Sequence, residues 1–174
     1  ATAPFYSTLI RINPDNPMSP DDFTCDLCTA MPTPTDGGKT WTFTIRDDVK
    51  WHDGQAFSAD DVVYTFDWLT DPKSKVFFKP QWSWVDKVEK VGTNKIRITA
   101  KQPTPFDMLN LAVLSPIMPK HAHGPLANKA DFVPKSTGTG PTFIASTTRF
   151  IPGRHRLIAV PNAGCPAKSY SAAG

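Results

Sequence analysis

Residues 40–69 read TWTFTIRDDVKWHDGQAFSADDVVYTFDWL, and they divide into a strand, a turn and a helix. Trp41, Phe43 and Ile45 alternate with Thr40, Thr42, Thr44 and Arg46, a period of two in β-branched and aromatic residues that predicts a half-buried strand. Asp47-Asp48 interrupts the alternation, and Val49 and Trp51 restart it. Asp53-Gly54 is a turn signal, because glycine accepts the positive φ that tight turns require. Ser58 is placed as a helix N-cap, with Asp61 three residues on in a variant of the Ser-x-x-Glu capping box. Asp60 and Asp61 both suit the positive end of the helix dipole. Val62, Val63, Phe66 and Leu69 share one helical face, and Phe66 is expected against the strand Trp41–Ile45.

Working outward, Asp71-Pro72 ends the helix, since the residue before proline avoids the helical region. Residues 73–83 form a loop rich in aromatic side chains, Phe77, Phe78 and Trp82. Val85, Val88 and Val91 alternate imperfectly with charged residues and predict a strand. Gly92-Thr93-Asn94 turns it into the cleanly alternating Lys95–Ala100, giving a hairpin. Phe106, Leu109 and Val113 mark an apolar helix, and residues 122–135 a polar connector. Gly138 and Gly140 are expected to supply backbone angles that other residues resist, opening a strand over Thr142–Ser146, and Arg156–Val160 suggests one more. Toward the start, Pro14-Asp15-Asn16-Pro17 is a turn cluster. Residues 161–174, rich in Ala, Gly, Pro and Ser, are expected to be a disordered tail.

The 174 residues are enough to bury a core. Hydrophobic residues at 40% and charged residues at 20% suit a globular chain, while the 18 prolines imply short regular elements. A net charge of +3 with basic residues scattered along the chain argues against nucleic acid as a partner. There is no run of 18 apolar residues. Ala1 opens neither a basic start nor an apolar stretch, so the expectation is that a leader has been removed or that the chain begins inside a longer one.

Few constellations could carry chemistry. Cys25-Asp26-Leu27-Cys28 could be a redox pair or half a zinc site. A redox pair needs a helix directly after the first cysteine, which Pro32 and Pro34 limit to a turn. A zinc site needs two further ligands, and no second pair has usable spacing. Incidental cysteines or a small local disulfide is the plainer reading. His121-Ala122-His123 could form half a metal site, and His52 beside Asp53 an oriented base. Both lack a third group, and no serine carries the flanking glycines of a hydrolase nucleophile. No catalysis, metal or cofactor is expected.

The central stretch resembles the signature of the bacterial extracellular solute-binding proteins of the peptide/nickel group, family 5, the binding components of ABC importers. That pattern runs T-[YW]-T-F-x-[LI]-R-x-x-V-K-[WF]-H-D-G, then A-x-D-V-V-[YF]-[ST]-[FW]. It is met by Thr40 to Phe43, Ile45, Arg46, Val49 to Gly54, Ala59, Asp61 to Thr65 and Phe66. Pro4 to Arg11 is similar to the family's early short helix and strand. Leu114 to His121 is similar to a strand ending I-x-P-K-H, and Gly138-Thr139-Gly140-Pro141 to its G-T-G-P. The likeness covers about Pro4 to Val160 and weakens from Thr24 to Thr35.

The resemblance implies an α+β fold, with a mixed sheet and short flanking helices, as part of lobe one of a type II periplasmic-binding-protein-like structure. Residues 1–160 would form the N-terminal part of that lobe. It implies capture of a peptide or similar small solute by a monomer, delivery to permease subunits in the cytoplasmic membrane, and a periplasmic or extracellular location. By the same likeness the loop after Asp71-Pro72 faces the ligand cleft, with Phe78 at the contact position and Phe77 and Trp82 beside it. The segment before I-x-P-K-H adds Ser115. Two other readings stay open: a truncated chain that binds nothing, and a thiol or metal protein using Cys25 and Cys28.

Overall fold

A computed structural model describes residues 5–16, 19, 22–76, 79–103, 107–135, 137–140, 142–144 and 159–161. The strands are β1 (Ile10–Ile12), β2 (Phe23–Cys25), β3 (Thr40–Thr44), β4 (Val85–Gly92), β5 (Lys95–Ala100), β6 (Thr142–Ile144) and β7 (Ala159–Pro161). The helices are α1 (Ala59–Thr70), α2 (Asp107–Val113) and α3 (Lys120–His123). They build an α+β structure with three antiparallel sheets among the described residues: β1-β2, β3-β5-β4 and β6-β7.

The middle sheet holds the core. In register, Trp41 faces Ile98 and Phe43 faces Ile96, while Val88 faces Ile98 from the other side. Trp41, Phe43, Val85, Val88, Ile96, Ile98 and Ala100 are all buried, so period-two alternation on three strands makes one apolar face. The mixed period of β4 has a structural cause: its register shifts twice against β5, between Val85 and Lys87 and between Lys90 and Gly92.

The predicted turn and helix form as the residues dictate. Gly54 sits at φ +87°, and the chain reverses through Trp51 N–H to Gln55 O (2.8 Å). The Asp61 carboxylate accepts the Ser58 N–H (2.9 Å) and hydroxyl (3.1 Å), which caps α1. Val62, Phe66 and Leu69 are buried, but α1 lies over β4 and β5 rather than the expected β3. Phe66 meets Trp82 edge to face, with ring centroids 5.7 Å apart.

Three expectations are corrected. Residues 5–9 form no helix before β1. Leu114–His121 is not a strand: Pro116 and Pro119 lack the N–H groups a ladder needs, and side chains of α1 hold the segment instead. The Thr65 hydroxyl accepts the Met118 N–H (2.9 Å), and Asp61 Oδ1 accepts the Lys120 N–H (2.8 Å). Ile117 N–H reaches Ser7 O (3.1 Å). Finally, Gly138 does not take a positive φ. Gly138 is required for a different reason, since an added Cβ would fall on the carbonyl oxygen of Phe5. The expected helix near Phe106 exists as α2, yet it buries Leu111 and Ala112 and leaves Val113 53% exposed. Residues 145–158 and 162–174 lie outside the described residues.

Phe66→Ala is expected to cost roughly 3–5 kcal/mol in urea melts, the transfer and cavity penalty of a fully buried ring; a loss below about 1 kcal/mol would remove α1 from the core. Asp61→Asn is expected to cost about 1–3 kcal/mol, because an amide cannot accept from both Ser58 and Lys120 without turning a donor toward one of them. Unchanged stability by the same melts would show that this carboxylate fastens nothing.

Candidate functional site

The residues after α1 carry Trp82, one of the expected contacts, beside the helix end. Asp71 closes the helix through its N–H to Asp67 O (2.9 Å), and its carboxylate accepts the Lys73 N–H (2.8 Å). Lys79 folds back over the loop, its Nζ on Pro72 O (2.6 Å) and Ser74 O (3.1 Å). Phe77 and Phe78, inside that loop, lie outside the described residues. Lys79–Trp82 makes a 3-10 turn and delivers Trp82, only 2% exposed, onto Phe66.

Beside this turn is an open depression of about 510 Å³. It is bordered by Thr70 and Pro72 from the end of α1, by Lys79, Trp82 and Ser83 from the turn, and by Asp86 and Lys101 from the sheet. Lys101 Nζ donates to Ser83 O (2.8 Å). The volume is within the range of about 300–1,000 Å³ typical of small-ligand sites. The surface is of mixed character, with Lys79 and Lys101 each held on backbone carbonyls and Asp86 beside them.

Ser115 sits elsewhere. It is fully buried at the end of α2, and its hydroxyl donates to Leu111 O (2.6 Å). It thus closes the helix that packs on β1, whereas Trp82 packs under α1.

The histidines diverge. His121 Nε2 pairs with Asp53 Oδ2 (2.7 Å) near the surface, while His123 turns inward to the Tyr64 hydroxyl, 2.6 Å from its Nδ1. His123 is ringed edge to face by Tyr64, Trp68 and Phe132. Burial, reinforced by the Lys129 ammonium, lowers its pKa to about 4. Tyr64 is raised by its own burial, so both groups are neutral, and either the Tyr64 hydroxyl donates to a bare Nδ1 or an Nδ1–H donates to the phenol oxygen. His52 spans the Gly138–Gly140 loop: Nδ1 accepts the Gly138 N–H (3.2 Å), so Nε2 carries the proton toward Gly140 O (2.8 Å). Burial lowers its pKa, against smaller raising contributions from the Gly140 carbonyl and Asp53. His52, His121 and His123 therefore serve three different contacts, and among the described residues no group of three or more potential ligands gathers around any point.

Cys25 and Cys28 are joined in a disulfide, with Cα atoms 5.1 Å apart. It closes the passage from β2 into an isolated bridge between Cys28 and Ile45, and Leu27 between them is buried. The pair is engaged with itself, which gives the small local disulfide its structural role.

Sequence reasoning did not find Lys79, Ser83 or Lys101 as borders of the depression. A lysine at a strand end reads like any solvated charge, and only its tertiary contact to the Ser83 carbonyl distinguishes Lys101.

The profile described as bacterial extracellular solute-binding proteins, family 5 Middle, matches residues 22–150. The chain belongs to that family. A Brucella melitensis protein described as a binding protein is 33% identical over 144 residues, covering 81% of this chain and 22% of its own length. The oligopeptide-binding protein OppA of Bacillus subtilis is 29% identical over 116 residues, or 58% of this chain and 20% of its own. Among solved structures, MoaA of A. tumefaciens R10, in complex with mannopinic acid, superposes with a TM-score of 0.73 at 30% identity, over 84% of this chain and 29% of MoaA. The fold is therefore of the type II periplasmic-binding-protein-like kind, and the family is one of binding proteins rather than enzymes. The chain spans about a fifth of the length of these curated relatives.

Thiol titration in denaturant without reductant is expected to find one reactive thiol per chain, Cys165, and three after reduction. Three thiols before reduction would show that Cys25 and Cys28 are not joined.

Proposed function

We propose that the chain contributes to the substrate-binding component of an ABC importer, which captures a peptide or similar small solute outside the cytoplasmic membrane and presents it to permease subunits. The observation that carries this reading is the family match over residues 22–150. In this reading residues 1–160 form the N-terminal part of lobe one. The loop with Phe77 and Phe78 is the solute-facing edge and Trp82 its buried foundation, while Ser115 closes α2 in another part of the fold. The Cys25–Cys28 disulfide supports a periplasmic or extracellular location, since such bonds persist in oxidising compartments. Ligand identity is left at the level of class: OppA is named for oligopeptides and MoaA was solved with mannopinic acid.

The depression at Trp82 is one open wall. Deep pockets bury about 70–90% of a small ligand, and a single wall about half of that. Association still costs about 4 kcal/mol or more in lost translation and rotation. These 174 residues alone should therefore hold a peptide with a dissociation constant on the order of millimolar or weaker. Isothermal titration with a pool of dipeptides and tripeptides is expected to show no heat beyond dilution. Amide shifts in the 77–86 region are expected once the pool reaches about ten millimolar. Absence of shifts there would overturn the assignment of this wall to solute contact. Micromolar affinity would show that the site is complete within this chain.

A further inference from the structure

The polypeptide between α3 and the Gly138–Gly140 loop is fastened at both ends by an imidazole whose surroundings favour the neutral form. At the first end, His123 Nδ1 and the Tyr64 hydroxyl share a hydrogen bond of 2.6 Å, which ties α3 to α1. At the second, His52 Nδ1 takes the Gly138 N–H at 3.2 Å and Nε2 gives to Gly140 O at 2.8 Å. The His52 main chain adds its own N–H to Gly138 O (2.9 Å). A doubly protonated imidazole has two donors and no acceptor, so protonation turns an N–H toward the Tyr64 hydroxyl in one case and toward the Gly138 N–H in the other. Tyr64 can rotate its hydroxyl to adapt, but the Gly138 amide cannot.

We propose that His52 and His123 form a two-point, acid-sensitive latch on the segment running from α3 to Gly140, closed with both imidazoles neutral and released when both take up a proton. The surroundings favour such release. His123 is faced by the Tyr64 hydroxyl and the Trp68 ring from α1, and by Phe132 and the Lys129 ammonium from the 3-10 helix Lys129–Lys135. Lys129 Nζ is itself anchored on the carbonyls of His123 and Gly124, both at 2.8 Å, so a charge arising on His123 meets a cation held in place. Among the described residues no carboxylate contributes at His123. His52 is faced by the edge of the Phe5 ring, 5.0 Å away, and by Asp53, whose carboxylate is paired with His121.

The direction follows from linkage. Both imidazoles protonate less readily in the closed form than at the ordinary value of 6.5. As pH falls below 6.5 the open form takes up protons that the closed form does not. Opening is therefore favoured by acid, and it stops responding to pH once the closed form protonates as well. Two sites acting together raise the opening constant by up to about 100-fold per pH unit, and one site by about tenfold.

Amide hydrogen exchange between pH 7.5 and 4.5, corrected for intrinsic rates, reads this directly. The expected result is loss of protection in residues 117–140 with a pH dependence steeper than tenfold per unit, while β3 and β5 stay protected. His52→Asn and His123→Asn each place a non-titrating acceptor near the Nδ1 position and should reduce the slope by about tenfold per unit. Equal loss across β3, β5 and the segment, or slopes that neither variant changes, would overturn the latch. Should a variant fail to fold, imidazole nitrogen shifts of the unsubstituted chain decide instead. The His52 ring should show a bare Nδ1 and a protonated Nε2 at pH 7.5, and both rings should have midpoints below the ordinary value of 6.5. A midpoint above 6.5 for either ring would sink the proposal.

Discussion

The carboxylate of Asp61 is the contact on which most of the arrangement depends. It is 4% exposed and accepts from three donors: the Ser58 N–H, the Ser58 hydroxyl and the Lys120 N–H. A buried carboxylate needs that many partners to offset its loss of water. By meeting the need, it both starts α1 and fixes the chain 59 positions downstream. Thr65, one turn later, repeats the arrangement with Met118. Helix α1 is therefore capped and clasped by the same side, and the adjoining face buries Phe66 on Trp82 and the sheet.

This double duty explains why the stretch from Thr40 to Leu69 carries so much of the family pattern. Some of its residues serve local geometry and others distant segments, and both are visible as identity at fixed spacing. The strand, the turn at Gly54 and the capping residues were legible because each answers to a rule of short range. The hairpin of β4 and β5 was legible for the same reason. Contacts over long range were not. Leu114–His121 has the apolar character of a strand, and its two prolines tell against a ladder, but only the structure reveals Asp61 and Thr65 as the partners. Gly138 was rightly singled out for a wrong cause: the sequence marks a glycine, and the crowding by the Phe5 carbonyl belongs to tertiary structure.

The candidate surface was legible only in outline. Trp82 was found as an aromatic residue in a loop, and its burial makes it the support of the loop's base. The residues that border the depression with charge, Lys79 and Lys101, gave no periodic or motif signal. His52, His121 and His123 illustrate the same limit. His121 and His123 are two residues apart and look alike on paper. A four-residue helix sends one to Asp53 at the surface and the other into a ring of aromatic side chains, where only the neutral form is at ease.

The uneven pairing of β4 has a bearing on recognition. β4 is an outer strand of its sheet, its register slips at two points, and Lys87 and Lys90 stand exposed along it. Such an edge is a poor template for another chain, because the irregular spacing breaks the row of evenly presented backbone groups and the ammonium groups resist close approach. The β4 edge is therefore ill suited to take up a peptide as an added strand, one of the ways an extended backbone is read. Along that edge a peptide would have to be held by side chains and loops, with the strand serving as their support.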